Sequence, residues 1–166
     1  MSGIIGSSFG RFSGVIGSEG RIGQVCQVYF TTGLTSQSGD KYLTGWTQRI
    51  NTDTSMFTVS SNGITITHGG NYIVSIQLLT TTMDTGYRQA GLAHNGGSGA
   101  PDTRDDRLYR IDRIHSSGAE RFCSPNTKVL DLIAGYTYTI FSGAEATRTI
   151  NGGSDYSSFG MTYLSN

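Results

Sequence analysis

Lys128-Val129-Leu130-Asp131-Leu132-Ile133-Ala134-Gly135-Tyr136-Thr137-Tyr138-Thr139-Ile140-Phe141 reads as two apolar runs folded about a Gly corner. Its β-branched and aromatic residues suit pleated, half-buried strands, and Gly135 supplies the backbone freedom that a tight corner needs. A second run, Ser157-Ser158-Phe159-Gly160-Met161-Thr162-Tyr163-Leu164, closes the chain with another strand. Together they predict an all-β protein, an antiparallel β-sandwich. Such sandwiches work mainly through their surfaces, by assembling and binding.

The rest of the composition agrees. Gly, Ser and Thr make up 65 of 166 residues, so strands and turns are favoured over helices. This length fits one domain. The formal net charge is zero and ten of the twelve basic residues are Arg, so no diffuse cationic field exists to draw nucleic acid. No apolar stretch reaches the length of a membrane-spanning helix, and the N-terminus lacks the basic and apolar regions of a secretion signal. The expectation is a protein made in a cytoplasm, with neither nucleic acid nor membrane as partner. Cys26 and Cys123 are too few for a disulfide scaffold or a zinc ribbon and are expected as semi-buried thiols.

Two parts are expected: an N-terminal arm over residues 1–23 and a β-domain over 24–166. The arm holds seven Gly and five Ser, and Gly3-Ile4-Ile5-Gly6-Ser7 recurs as Gly14-Val15-Ile16-Gly17-Ser18. Ile4, Ile5, Phe9, Phe12, Val15 and Ile16 are candidate anchors for a neighbouring surface, because a solvated tail has no use for paired apolar residues. From Gln24 onward, candidate strands are Gln24 to Thr31, Trp46 to Ile50, Met56 to Val59, Ile64 to Thr67, Asn71 to Leu79, Tyr87 to Ala93, Leu108 to His115, Arg121 to Cys123, Lys128 to Leu132, Tyr136 to Ser142, Ala146 to Ile150 and Ser158 to Leu164. Gly33 to Gly45 and His94 to Pro101 are expected as long connections. In the strand from Asn71, Tyr72, Val74, Ile76 and Leu78 form the buried phase.

Ile64-Thr65-Ile66-Thr67-His68-Gly69-Gly70-Asn71-Tyr72-Ile73-Val74, the Leu130-Asp131-Leu132-Ile133-Ala134-Gly135-Tyr136 corner and the closing Ser157 to Leu164 run carry a resemblance. They resemble the trimeric jelly-roll heads of the tumour necrosis factor and complement globular-head type, with Tyr136 where that pattern carries Asp. The resemblance covers roughly Trp46 to Leu164. It implies a jelly-roll that assembles as a homotrimer, with Tyr72, Tyr138, Phe141 and Tyr163 on an inner sheet near the three-fold axis. The opening Met1-Ser2-Gly3-Ile4-Ile5-Gly6 is similar to the start of small virion proteins of tailed phages.

Signals for chemistry are sparse. His68, His94 and His115 share no metal-ligand spacing, and no nucleophile elbow, phosphate loop or dinucleotide fingerprint occurs. Neither an enzyme nor a cofactor or metal site is expected. Charge is densest from Asp102 to Arg113, where eight of twelve residues ionise. Arg104, Asp105, Asp106, Arg107, Arg110, Asp112 and Arg113 are therefore a candidate contact surface, suited to Arg–carboxylate pairing across subunits. A charged edge strand and a calcium loop are the other readings of that segment.

The expected function is that of a virion structural protein: a capsid decoration or cement protein that trimerises on the shell and reaches neighbouring subunits or the major capsid protein with its arm. The alternative is a receptor-binding or tail-fibre-tip module that reads a host surface glycan or protein.

Overall fold

The alternating pattern of the sequence folds into strands throughout. The structure, a computed structural model, describes residues 21–37, 39, 41–81, 85–94, 107–117, 122–123, 126–144, 147–153 and 156–165. Among these residues there are fifteen strands and no helix: β1 (Val25–Tyr29), β2 (Leu34–Gln37), β3 (Lys41–Tyr42), β4 (Thr47–Asn51), β5 (Phe57–Ser60), β6 (Gly63–Ile66), β7 (Gly70–Gln77), β8 (Leu79–Thr81), β9 (Thr85–His94), β10 (Arg107–Ser117), β11 (Phe122–Cys123), β12 (Asn126–Leu132), β13 (Thr137–Ala144), β14 (Arg148–Ile150) and β15 (Ser158–Ser165).

They form three antiparallel sheets. One has the order β12-β7-β15-β1-β4; a second has β10-β9-β13-β6-β5 with β3 also on β13; the third has β11-β8-β14-β2. The last strand, β15, lies between β7 and β1, so the chain returns from its far end to complete a sheet begun near its start. The two larger sheets face each other over a shared core. Phe57 of the second sheet meets Tyr72 of the first with ring centroids 6.2 Å apart, and Tyr72 meets Tyr163 at 5.2 Å. Trp46 stacks on Phe30 at 3.9 Å and meets Phe159 edge-on at 4.9 Å. Its indole N–H donates to the Leu43 carbonyl and the Thr139 hydroxyl, so this large ring is buried without an orphaned donor. The expected all-β sandwich is what the chain forms, and Tyr72, Val74, Ile76 and Leu78 are all buried, as the alternation predicts.

Two expectations are corrected. The stretch Asn71 to Leu79 is not one strand: it pairs in the first sheet as β7, breaks at Leu78 and continues in the third sheet as β8. The Leu79 N–H donates to the Ser157 hydroxyl where the strand changes sheets. Gly33 to Gly45 is not an unstructured connection either, since it contributes β2 and β3. Its polar sequence conceals the strands because both are short and their partners, β14 and β13, lie about a hundred residues away.

Candidate functional site

The outward face of the first sheet is fixed by simple alternation. Tyr72, Val74 and Ile76 of β7 point inward, so Ile73, Ser75 and Gln77 point out. The register then aligns outward residues across the strands in rows. Val129, Ile73, Thr162 and Val25 form one row. Thr127, Ser75, Gly160, Gln27 and Ile50 form the next, and Gln77, Ser158, Tyr29 and Thr47 a third. The face is therefore divided. Its first row is apolar but for Thr162, with Val129 60% exposed, and Ile50 at the margin of the second row is 42% exposed.

The polar rows enclose an open trough of about 230 Å³ lined by Gln27, Ser75, Ile76, Gln77, Asn126, Thr127 and Ser158. The Ser75 and Thr127 hydroxyls share a hydrogen bond of 3.1 Å across β7 and β12. Gly160 lies between Ser75 and Gln27 by register. A Cβ there would stand 3.2 Å from the Cys26 carbonyl oxygen and 3.4 Å from Gln27 Cγ, so even a methyl group crowds the site.

Arg148, which the sequence reading did not single out, is the largest fully buried side chain among the described residues. Its guanidinium donates from Nε to the Ser142 hydroxyl (3.1 Å), from Nη2 to the Ser142 carbonyl (2.6 Å), and from Nη1 to the carbonyls of Gln37 and Gly39 (3.0 Å each). One planar fork thus fastens the β2–β3 segment to β13. The signal in the sequence was faint: a lone Arg within the apolar and Thr-rich run that became β14.

The expected site residues scatter. Ile4, Ile5, Phe9, Phe12, Val15 and Ile16 lie outside the described residues, as do Arg104, Asp105 and Asp106. Arg107, Arg110, Asp112 and Arg113 fall on β10, which pairs with β9 at the edge of the second sheet, in a register that shifts between Arg107 and Tyr109 and again between Arg110 and Asp112. The aromatic set requires correction. Tyr72 and Tyr163 belong to the first sheet but Tyr138 and Phe141 to the second, and all four expose at most 2% of their surface. Packed inside their own subunit, they have no area left to bury against a neighbour.

The tyrosine hydroxyls explain why such polar rings sit inside. Tyr72 donates to the His68 carbonyl at 2.6 Å, while Tyr138 accepts from the Ile133 N–H at 2.7 Å and donates to its carbonyl at 3.2 Å. Burial pushes the Tyr72 hydroxyl above its ordinary range and the Tyr138 hydroxyl up to about 12. Cys26 is a free, buried thiol, pushed up to about 12 by desolvation, which makes it a poor nucleophile. Among the described residues no group of three or more His, Cys, Asp or Glu could hold a metal ion.

No protein-family model matches the chain, and no curated protein does. Solved structures do match. The structure of Eiger TNF from S. frugiperda superposes with a TM-score of 0.63 at 16% identity, covering 88% of this chain and 95% of that one. Murine APRIL at pH 8.5 superposes with a TM-score of 0.60 at 15% identity, covering 85% and 98%. The fold is therefore a tumour-necrosis-factor-like jelly-roll, and the likeness at this identity is one of fold.

Proposed function

We propose that this chain is a non-catalytic assembly module, a homotrimeric jelly-roll that acts as a capsid decoration or cement protein in a virion, with the major capsid protein or another virion protein as its partner. One observation carries the assembly half of this reading: the row Val129, Ile73, Thr162 and Val25, apolar but for Thr162, on the outward face of the first sheet, with Val129 60% exposed. Exposed apolar residues set side by side on a sheet face form a surface that association covers. The sequence resemblance to trimeric heads supplies the number three, and the similarity of Met1 to Gly6 to phage virion proteins supplies the setting.

The test has two parts. Light scattering of the full chain at micromolar concentration is expected to report a trimer, and replacing Val129 and Ile73 together by Asp is expected to give a folded monomer. A monomeric wild-type protein overturns the assembly. For the setting, a chain lacking residues 2–23 is expected to stay trimeric yet lose binding to capsid shells, and undiminished binding refutes the role given to the arm. Bare shells combined with blocked adsorption of virus to host cells move the protein to the fibre tip.

A further inference from the structure

Exposed apolar surface gathers at the two edges of the first sheet. Val129 lies on β12, Ile133 just past its end, and Ile50 on β4; among the described residues Tyr156 is the one other large apolar side chain so open to solvent. β12 and β4 are the outermost strands of that five-stranded sheet, four strand spacings or about 19 Å apart. A partner surface that covers one edge therefore leaves the other to be covered by a second contact.

The two edges carry charges of opposite sign. On β12 the outward phase steps from Val129 to Asp131 over about 7 Å, and Ile133 follows, so an exposed carboxylate stands between two exposed apolar side chains. Its register partner on β7 is the neutral Asn71. On β4, Gln27 faces Ile50 and Val28 faces Gln48, so Arg49 is the extra residue of a bulge, exposed beside Ile50. Neither Asp131 nor Arg49 makes an ion pair or a side-chain hydrogen bond among the described residues, whereas Lys128, in the other phase of β12, already has an interaction within its own subunit. Any surface that covers Val129 also covers Asp131, and a carboxylate taken out of water without a cation is costly. The occupant of the β12 edge has to bring a cation set beside an apolar side chain. The β4 edge, with Arg49 next to Ile50, is such a surface.

We propose that the β12 edge of one subunit docks on the β4 edge of the next, with Asp131 paired to Arg49 and with Val129 and Ile133 against Ile50. This rests on the assembly reading above and names the surface that Val129 meets. A planar guanidinium can hold a carboxylate through two parallel hydrogen bonds, which fixes the register of the two edges as well as their affinity. Because the edges differ, the contact is head-to-tail, and contacts of that kind either close into a ring or run on as a filament. The bulge at Arg49 interrupts the β4 edge, so β4 does not simply extend the sheet of its neighbour, and this favours closure.

The experiment is charge reversal in the full chain, read by sedimentation equilibrium over a dilution series. Asp131→Arg and Arg49→Asp are each expected to raise the dissociation constant of the trimer about tenfold or more, and the double variant to return to within about threefold of wild type. Lys41→Asp, at an exposed position on β3 of the second sheet, reverses a charge away from both edges and is expected to leave assembly unchanged. Should circular dichroism show a reversed chain to be unfolded, Asp131→Asn and Arg49→Gln take its place, and their effects are expected to be non-additive. Single reversals that leave the trimer intact, reversals that weaken it without rescue in the double variant, or additive neutral substitutions overturn the pairing. The assembly reading fails in a different way. A monomeric wild-type chain sinks both, whereas a trimer that Val129→Asp/Ile73→Asp dissociates but neither reversal affects sinks the pairing alone.

Discussion

Replacing Arg148 by Met keeps an unbranched apolar stem but removes every donor of the guanidinium. The Ser142 hydroxyl and the carbonyls of Ser142, Gln37 and Gly39 are not equivalent acceptors. The carbonyls of Gln37 and Gly39 lie on the half-exposed to exposed β2–β3 segment, where water can take the place of the lost donor, so they contribute little to the loss. Ser142 is buried, and its hydroxyl and carbonyl lose their partners where water does not reach. At about 1–3 kcal/mol for each buried group left unsatisfied, the loss is roughly 2–6 kcal/mol. Removal of a buried charge lowers it, because desolvating a cation is itself expensive. The net expectation is a loss of about 3 kcal/mol, or a fall in Tm of about 6–12 °C for a domain of this size.

Arg148→Lys provides the control. A compact ammonium keeps the desolvation cost yet cannot fork between Ser142 and the pair Gln37 and Gly39, so it is expected to be no better than Met. Thermal and urea unfolding at fixed protein concentration measure both variants, with concentration held because assembly shifts apparent stability. Amide exchange over 34–43 gives the local readout and is expected to accelerate in both. A Met variant within about 0.5 kcal/mol of wild type, or full rescue by Lys, refutes the assignment of this fork as the fastening of the segment.

Further expectations follow from single groups. Gly63→Ala is expected to destabilise the fold severely, since Gly63 has a φ of +134° and a Cβ there would collide with the Tyr138 carbonyl; circular dichroism of the purified variant checks it. Tyr138→Phe strips the Ile133 N–H of its acceptor and is expected to cost about 1–3 kcal/mol in urea unfolding. Cys26 and Tyr138 both have folded pKa values raised to about 12, so the stability they contribute is complete below their unfolded values of 9.0 and 10.0 and is lost as pH rises toward 12. Near-ultraviolet circular dichroism is expected to show cooperative alkaline unfolding in that window, and unfolding that begins below pH 8 refutes the attribution. In a Cys123→Ser background, the remaining Cys26 thiol is expected to resist a thiol reagent at pH 8 until denaturant is added.

Much of the fold could be read from period-two alternation, because the alternating strands bury one phase each. Tyr72, Val74 and Ile76, and likewise Phe159, Met161 and Tyr163, show their inward face in the bare order of residues. The site was less legible. Aromatic residues in strands carry the same signature whether they fill a core or a subunit interface, and Tyr72, Tyr138, Phe141 and Tyr163 were expected at the interface but fill the core. The rows of the outward face depend on which strand lies beside which. Ser75 and Thr127 are 52 residues apart in the chain and hydrogen-bonded in space.

What the sequence determines by itself is local: strand-forming composition, the glycine corners, and the alternation that separates an apolar from a polar face within each strand. Only the tertiary structure decided what those faces meet. Sheet pairing joins residues whose separation in the chain carries no information about their register. It set Val129 beside Ile73, brought the Cys26 carbonyl and Gln27 close over Gly160, and turned Arg148, an isolated cation in the sequence, into the fork that holds two distant segments together.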